Sequence, residues 1–488
     1  MTRLFFCCCF LALAPSSGLA QTAPPLDDFV ALASKDEKVS QAAADRLTPV
    51  WKDTYSAMVI DLARFFRPQR EAGAPERGDD ELGSDDVTQA GRANGSGQPI
   101  TARTQTPEAA IRGRLMRFLS KRTGKSFGND LKLWRKWSWT LADDPHPEYS
   151  EFKARLYSNV DPRMASFFTS SEKPRIRLDE IDWGGVAVNG IPPLDQPKTI
   201  TAEQATFMGD KNVVFGLVVD GAARAYPKRI LAWHEMALDT LGGVKLAVVY
   251  CTLCGTVIPY ETVVDGRSFT LGTSGLLYRS NKLMFDLETK SLWSTIEGRP
   301  VVGALAASPI VLKYRPVVTT TWKEWRAAHP DTTVLSLDTG YQRDYDEGVA
   351  YRTYFSHDDL MFEVPVQDKR LKRKAEVVTF VASGESKPEP VALDTAFLKK
   401  NPLHAFTASG IHFIVVTSDG GANRIYRTGA FHFVSQSEAK LVDAAGSEWK
   451  VQEDRLERTD GESLPREPAR RTFWFAWVAQ FPETTLVK

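Results

Sequence analysis

Two cysteines separated by two residues, Cys251-Thr252-Leu253-Cys254, are the side chains in this sequence whose types and spacing best suit chemistry. Thiols so spaced can close a small disulfide, exchange it with a partner's thiols, or offer two thiolates to one soft metal ion. A redox centre of the thioredoxin type would set the first cysteine at a helix N-terminus. The residues after Cys254-Gly255, however, are Thr256, Val257, Ile258 and Pro259, which suit a strand. Structural zinc takes four ligands, and no second cysteine pair completes a ribbon. Copper(I) accepts fewer, so Cys251, Cys254 and His234 form a candidate metal set. The same imidazole would be the base in an exchange cycle with Cys251 attacking and Cys254 resolving. Three uses therefore stay open: thiol–disulfide chemistry, a copper(I) site, and a structural disulfide in a binding module.

Other polar and aromatic residues have plainer readings. Glu235 either orients the His234 ring or faces solvent, and Met236 and Met284 read as core fillers rather than metal ligands. Gly272-Thr273-Ser274-Gly275 lacks the spacing of a nucleophile elbow and reads as a tight strand turn. Arg279 and Asp286 either line a polar pocket or pair as hairpin residues. Trp293, Trp322, Trp325, Trp474 and Trp477 read as core, with a carbohydrate or peptide surface as the alternative. The 61 basic and 61 acidic residues balance, so no net field favours nucleic acid. The stretches Lys369 to Lys374 and Glu453 to Arg458 read as solvated faces.

The elements that must position the cysteines form an α+β pattern. Arg3 followed by an apolar run from Leu4 to Ala14, with Gly18-Leu19-Ala20 behind it, reads as an export signal over residues 1–20. Cys7, Cys8 and Cys9 fall inside it, which leaves the mature chain one possible disulfide in an oxidising, periplasmic or secreted setting. No later run is long and charge-free enough to span a bilayer, so no transmembrane segment is expected in the mature chain. Helical spacing marks residues 21–66, a Gly, Pro, Ser and acid-rich linker follows over 67–106, and helical character returns over 107–170, broken at Gly124 and Gly128.

From 171 to 488 short β-branched runs alternate with turns, as in Val213 to Val219, Asp220-Gly221 and Ala222 to Tyr226. The prediction is a mostly antiparallel, barrel- or sandwich-like β-rich domain. Helices are expected at Lys228 to Leu241, ending at Gly242-Gly243, and at Thr321 to His329. Strands are expected at Lys245 to Tyr250, Val257 to Val264, Ile411 to Thr417, Ala430 to Val434 and Phe473 to Val478. The Gly242-Gly243 turn would fold His234 back toward Cys251.

Several ordered motifs accompany the cysteines: Trp183-Gly184-Gly185-Val186, Val214-Phe215-Gly216, Arg224-Ala225-Tyr226-Pro227, His234-Glu235-Met236, Ser274-Gly275-Leu276-Leu277-Tyr278, Arg352-Thr353-Tyr354-Phe355 with His357, and Phe473-Trp474-Phe475-Ala476-Trp477. With Tyr250-Cys251-Thr252-Leu253-Cys254-Gly255 they resemble the domain-of-unknown-function 3179 family of mostly exported bacterial proteins, from about Arg175 to Lys488. Leu238, before Asp239, departs from the asparagine common in that family. The resemblance implies export and a fold but no reaction, and the partner, whether protein or small molecule, is left open.

Overall fold

The computed structural model describes residues 23–66, 106–384, 387–437 and 440–488. The expected export signal with Cys7, Cys8 and Cys9, and all of the expected linker except Thr106, lie outside the described residues. Among those described, no helix is long and apolar enough to cross a membrane.

The N-terminal part is helical because its apolar residues recur on one face of each segment and its helix ends carry capping side chains. Helices span Glu37–Leu47, Ser56–Arg64, Pro107–Thr123, Leu131–Ser138 and Tyr149–Ser158. Asp36, Thr106 and Asp130 accept from backbone N–H groups of the first turns, and Gly124, at φ 70°, ends the longest helix where a side chain would be strained. Phe29, Leu47, Met58, Val59, Leu119, Trp134 and Phe152 form its core.

The rest is β-rich and mainly antiparallel. One five-stranded sheet is built around the hairpin Leu271–Tyr278 and Asn281–Asp286; a second contains Val213–Val219 and Ala222–Pro227. A four-stranded sheet carries Met236–Leu241, Val244–Cys251 and Thr256–Glu261, and another joins Glu376–Ala382 to Arg470–Phe473. Eight strands between Leu403 and Glu467 make a nearly closed, barrel-like sheet. The α+β expectation holds, and so do the 213–219, Asp220-Gly221 and 411–417 assignments.

Three expectations are corrected. The helix starting at Lys228 stops at His234; Glu235 turns left-handed, and Met236–Leu241 is a strand because alternate side chains there are buried on the sheet's two faces. Gly242-Gly243 is thus the turn of a hairpin between two strands. The run after Phe473 is the helix Trp474–Val478, whose five residues are all buried and whose first two N–H groups, without partners inside the helix, donate to the Ala375 and Arg373 carbonyls. The strand expected at Ala430 to Val434 lies instead at Phe433–Ser437.

The helical part is joined to the β part by charge. Asp182, on the short strand Ile181–Trp183, pairs with both Arg64 and Arg135, while Asp61 receives Arg135, Lys153 at 2.7 Å and the Tyr149 hydroxyl at 2.6 Å. These groups are nearly water-free, and burial depresses the pKa of both arginines. Removing one partner from such a network leaves buried charge uncompensated, a loss of about 3–5 kcal/mol. Asp182→Ala is therefore expected to lower stability by about that amount in urea unfolding, whereas replacing the exposed Asp338 of the Lys198–Asp338 surface pair should shift it by less than about 1 kcal/mol. Equal effects would show that the interface does not depend on this network.

Candidate functional site around the cysteine pair

Cys251 ends the strand Val244–Cys251 and pairs across the ladder with Thr256, which starts the next strand, so Thr252 to Gly255 form the turn between them. Within it the Cys254 N–H donates to the Cys251 carbonyl at 3.1 Å, and the Gly255 N–H to that of Thr252. Gly255 adopts φ 63°, and a β-carbon there would lie 2.9 Å from the Phe473 ring. This turn joins the two sulfurs in a disulfide.

Distant parts of the chain close around the turn. The carbonyl of Cys254 accepts from the Phe473 N–H at 2.7 Å and the Thr472 hydroxyl at 3.1 Å, and the Leu253 carbonyl accepts from the Tyr354 hydroxyl at 2.8 Å. The tip of the 271–286 hairpin arrives from a third side. Its Ser280 carbonyl lies 3.6 Å from Cys254 Sγ, and the Asn281 amide reaches the carbonyl of Ala476. Leu253, Leu277, Tyr354, Leu360, Phe362, Phe473 and Phe475 form one buried apolar cluster with both cysteines, of which Cys251 is 2% and Cys254 0% exposed.

Beside this hydrocarbon lies a buried polar group. The Lys282 ammonium donates to the Glu235 carbonyl at 2.8 Å, lies 3.5 Å from the Tyr250 carbonyl, and pairs with the Glu235 carboxylate at 3.4 Å. Burial lowers the Lys282 pKa, and Glu235 opposes that shift. Tyr351 donates its hydroxyl to the same carboxylate. Lys282 thus places its ammonium against the backbone carbonyl of Tyr250, the residue before Cys251. It follows the turn after Tyr278, and an isolated lysine in a strand carries no signal of burial.

The centre also holds conformations that add to the free energy of the folded state. Glu235, Arg279, Ser280 and Tyr351 have φ of 56°, 48°, 61° and 57°, four of the ten non-glycine residues with positive φ among those described. Arg279-Ser280 occupies a two-residue hairpin turn, where Asn-Gly would be at ease. The side-chain oxygens of Thr252, Thr256 and Ser280, and Oδ1 of Asn281, are buried without a protein partner. Strain and unpartnered polar atoms concentrate where a structure is shaped by function rather than stability.

His234 points elsewhere. Its Nδ1 lies 3.0 Å from the Pro192 carbonyl, which can only accept, so Nδ1 carries the proton and Nε2 receives the Tyr345 hydroxyl. Both ring nitrogens are engaged away from the sulfurs, and no group of three potential metal ligands forms among the described residues. Cys251 and Cys254 are brought together, whereas the two ring nitrogens of His234 are bonded to Pro192 and Tyr345. Glu235 pairs with Lys282 instead of orienting the ring. Met236 and Met284 are core, Asp286 accepts from Thr289 and Trp293, and Arg279 pairs with Glu180. The five tryptophans are buried, and His357 is exposed, with its carbonyl accepting from Lys374.

The motifs that meet here are spread across most of the β-rich sequence, and a family profile spans the same stretch. The profile described as "Protein of unknown function (DUF3179)" matches residues 188–484. The chain belongs to this family. No curated protein and no solved structure matches it. Within this DUF3179 chain, the cysteine turn, the hairpin tip and the C-terminal Phe473–Val478 segment all fall inside the matched residues.

Burial lowers the pKa of His234 from 6.5 to about 4. Between those values the unfolded chain binds a proton that the folded chain refuses. The contribution of neutral His234 is therefore complete above pH 6.5 and is lost as pH falls toward 4. The full swing is at most about 3 kcal/mol. His234→Gln is expected to be less stable at neutral pH, through the lost Pro192 and Tyr345 bonds, and to lose less further stability on acidification than the parent. Urea unfolding across that pH range checks this, and identical acid slopes would refute it.

Proposed function

We propose that this DUF3179 protein is an exported thiol–disulfide exchange protein whose working pair is Cys251 and Cys254. The observation that carries the reading is the Ser280 carbonyl 3.6 Å from Cys254 Sγ. A disulfide sulfur has no proton to donate, so only the reduced Cys254 thiol gains a hydrogen bond there. The turn thus contains a seat for the dithiol state. As a brace, the disulfide closes so short a loop that its chain-entropy contribution is only about 2 kcal/mol, and five hydrogen bonds already hold that turn. The buried polar atoms and strained backbone around it oppose stability, which a purely structural bridge would not call for.

In the proposed cycle the Cys251 thiolate attacks one sulfur of a partner disulfide, and the partner's other sulfur leaves as a thiolate that takes up a proton. Cys254, losing its proton, then attacks the Cys251 sulfur of the mixed disulfide. The Cys251–Cys254 bond forms and the second partner thiolate departs, so the partner is reduced as the pair is oxidised. Cys251 is the outer sulfur because Cys254 is held by Thr472, Phe473 and Ser280. Lys282 stabilises the thiolate by charge in place of the imidazole expected there. Access requires the apolar cluster around the pair to open, since both sulfurs are almost fully buried within it.

The near-complete burial of both sulfurs favours a second reading, an inert bridge in a binding module. A copper(I) site would need a third ligand, and His234 would have to give up two hydrogen bonds to supply it. Equilibration of the folded protein with glutathione or dithiothreitol buffers, followed by thiol alkylation, separates the first two. Exchange predicts a reduction potential above about −300 mV, and a mixed disulfide trapped by Cys254→Ser but not by Cys251→Ser. A much lower potential, or sulfurs that react only on unfolding, would leave the inert bridge. Metal analysis of protein purified without chelators tests copper directly.

A further inference from the structure

The basic run from Lys369 to Lys374, read in the sequence as a solvated face, borders a groove of about 380 Å³ beside the cysteine centre. Leu360, Val364 and Phe475 line it and also belong to the apolar cluster that encloses both sulfurs. The floor of the groove is therefore the outer side of the disulfide's own wall. Its volume falls in the range typical of small-ligand and side-chain pockets, about 300–1,000 Å³.

Charge decides what the groove would hold. Its acidic lining residues are already occupied: Asp358 accepts from the backbone N–H groups of Arg373 and Lys374, Glu363 pairs with Lys136 at 3.0 Å, and Asp368 pairs with Arg370 at 2.8 Å. Lys369, Lys372 and the half-buried Arg373 line the same groove, and their side chains have no ion-pair partner among the described residues. The lining thus offers three uncommitted cations around an apolar floor, on a chain whose total charge is balanced. A segment that matches it carries several carboxylates flanking one apolar side chain.

We infer that this groove binds an acidic peptide segment of a protein partner, with carboxylates on Lys369, Lys372 and Arg373 and an apolar side chain on Leu360 and Phe475. As the class of exchange partner, the inference rests on the thiol–disulfide reading. As a binding site, it rests on the groove alone. Docking there would press on the wall covering Cys251 and Cys254, so recognition and access to the sulfurs would be mechanically linked.

The test is fluorescence anisotropy with the oxidised full chain and a labelled peptide in which glutamates flank a single phenylalanine, beside the same peptide with glutamine for glutamate. The glutamate peptide is expected to bind, to weaken with added salt, and to lose about tenfold or more in affinity to a Lys369→Glu, Lys372→Glu, Arg373→Glu variant. These side chains are exposed or half-buried, so the variant is expected to fold, which circular dichroism checks. Equal binding of the glutamine peptide, or unchanged affinity after charge reversal, would overturn the inference. Thiol trapping is measured separately, so a protein that binds the peptide but never exchanges disulfides keeps the groove and loses only the redox reading.

Discussion

The carbonyl of Cys254 is the point on which the centre depends. It accepts from two donors, the Phe473 N–H and the Thr472 hydroxyl, and thereby fastens the cysteine turn to a strand 218 residues further along the chain. That strand, Arg470–Phe473, is hydrogen-bonded to Glu376–Ala382, so the turn is tied to a different sheet from the one that delivers it. Bringing such distant segments together incurs loop-closure entropy that only buried contacts can offset. Leu253, Leu277, Phe473 and Phe475 provide those contacts around the sulfurs themselves. The disulfide turn and the assembly of the domain therefore share one set of atoms.

That sharing explains why polar groups sit so close to hydrocarbon. Lys282 and Glu235 are buried beside the turn, and each satisfies the other's charge while the Glu235 carbonyl takes the ammonium and the Tyr250 N–H together. A buried pair of this kind stabilises little compared with apolar side chains of the same volume, and it becomes a liability when either partner is removed. It fixes a charge against the Tyr250 carbonyl, where burial leaves little water to screen it. The same economy does not extend to Thr252, Thr256 and Ser280, whose hydroxyls lack protein partners. Each such group opposes folding by roughly 1–3 kcal/mol.

Much of the fold was legible in the sequence where local signals and tertiary demands agree. Asp220-Gly221 predicts a tight hairpin, and both residues have the positive φ that such a turn needs. Thr321 predicts a helix start and caps the Glu324 N–H. The signals failed where burial on all sides erased periodicity. Met236–Leu241 continues the apolar run of the preceding helix, and only Glu235, a residue with no preference for the left-handed region, marks the change. Trp474–Val478 has the aromatic content of a strand yet is a helix. In the site, the spacing of the cysteines announced their pairing. Lys282 was silent because its role arises from a hairpin tip meeting a helix end, which no local pattern encodes.

His234 shows why proximity along the chain was a poor guide to chemistry. The helix ends at His234 and leads through Glu235 into the strand Met236–Leu241, which pairs with the strand of Cys251, where the sequence had implied one helix up to Gly242-Gly243. The left-handed Glu235 nevertheless turns the chain so that the imidazole meets Pro192, Tyr341 and Tyr345, and what faces the cysteine strand is a backbone carbonyl. Hydrogen bonds to both ring nitrogens fix the tautomer of this neutral ring. Tyr345, whose proton goes to His234, accepts from the Thr339 hydroxyl, and the neighbouring Trp233 donates to the Asp344 carbonyl. The ring therefore anchors the irregular stretch after Leu335, and that stretch runs on to Tyr351 and Tyr354, which reach Glu235 and Leu253. His234 is thus bonded to the same stretch of chain that supplies Tyr351 and Tyr354 to the cysteine centre.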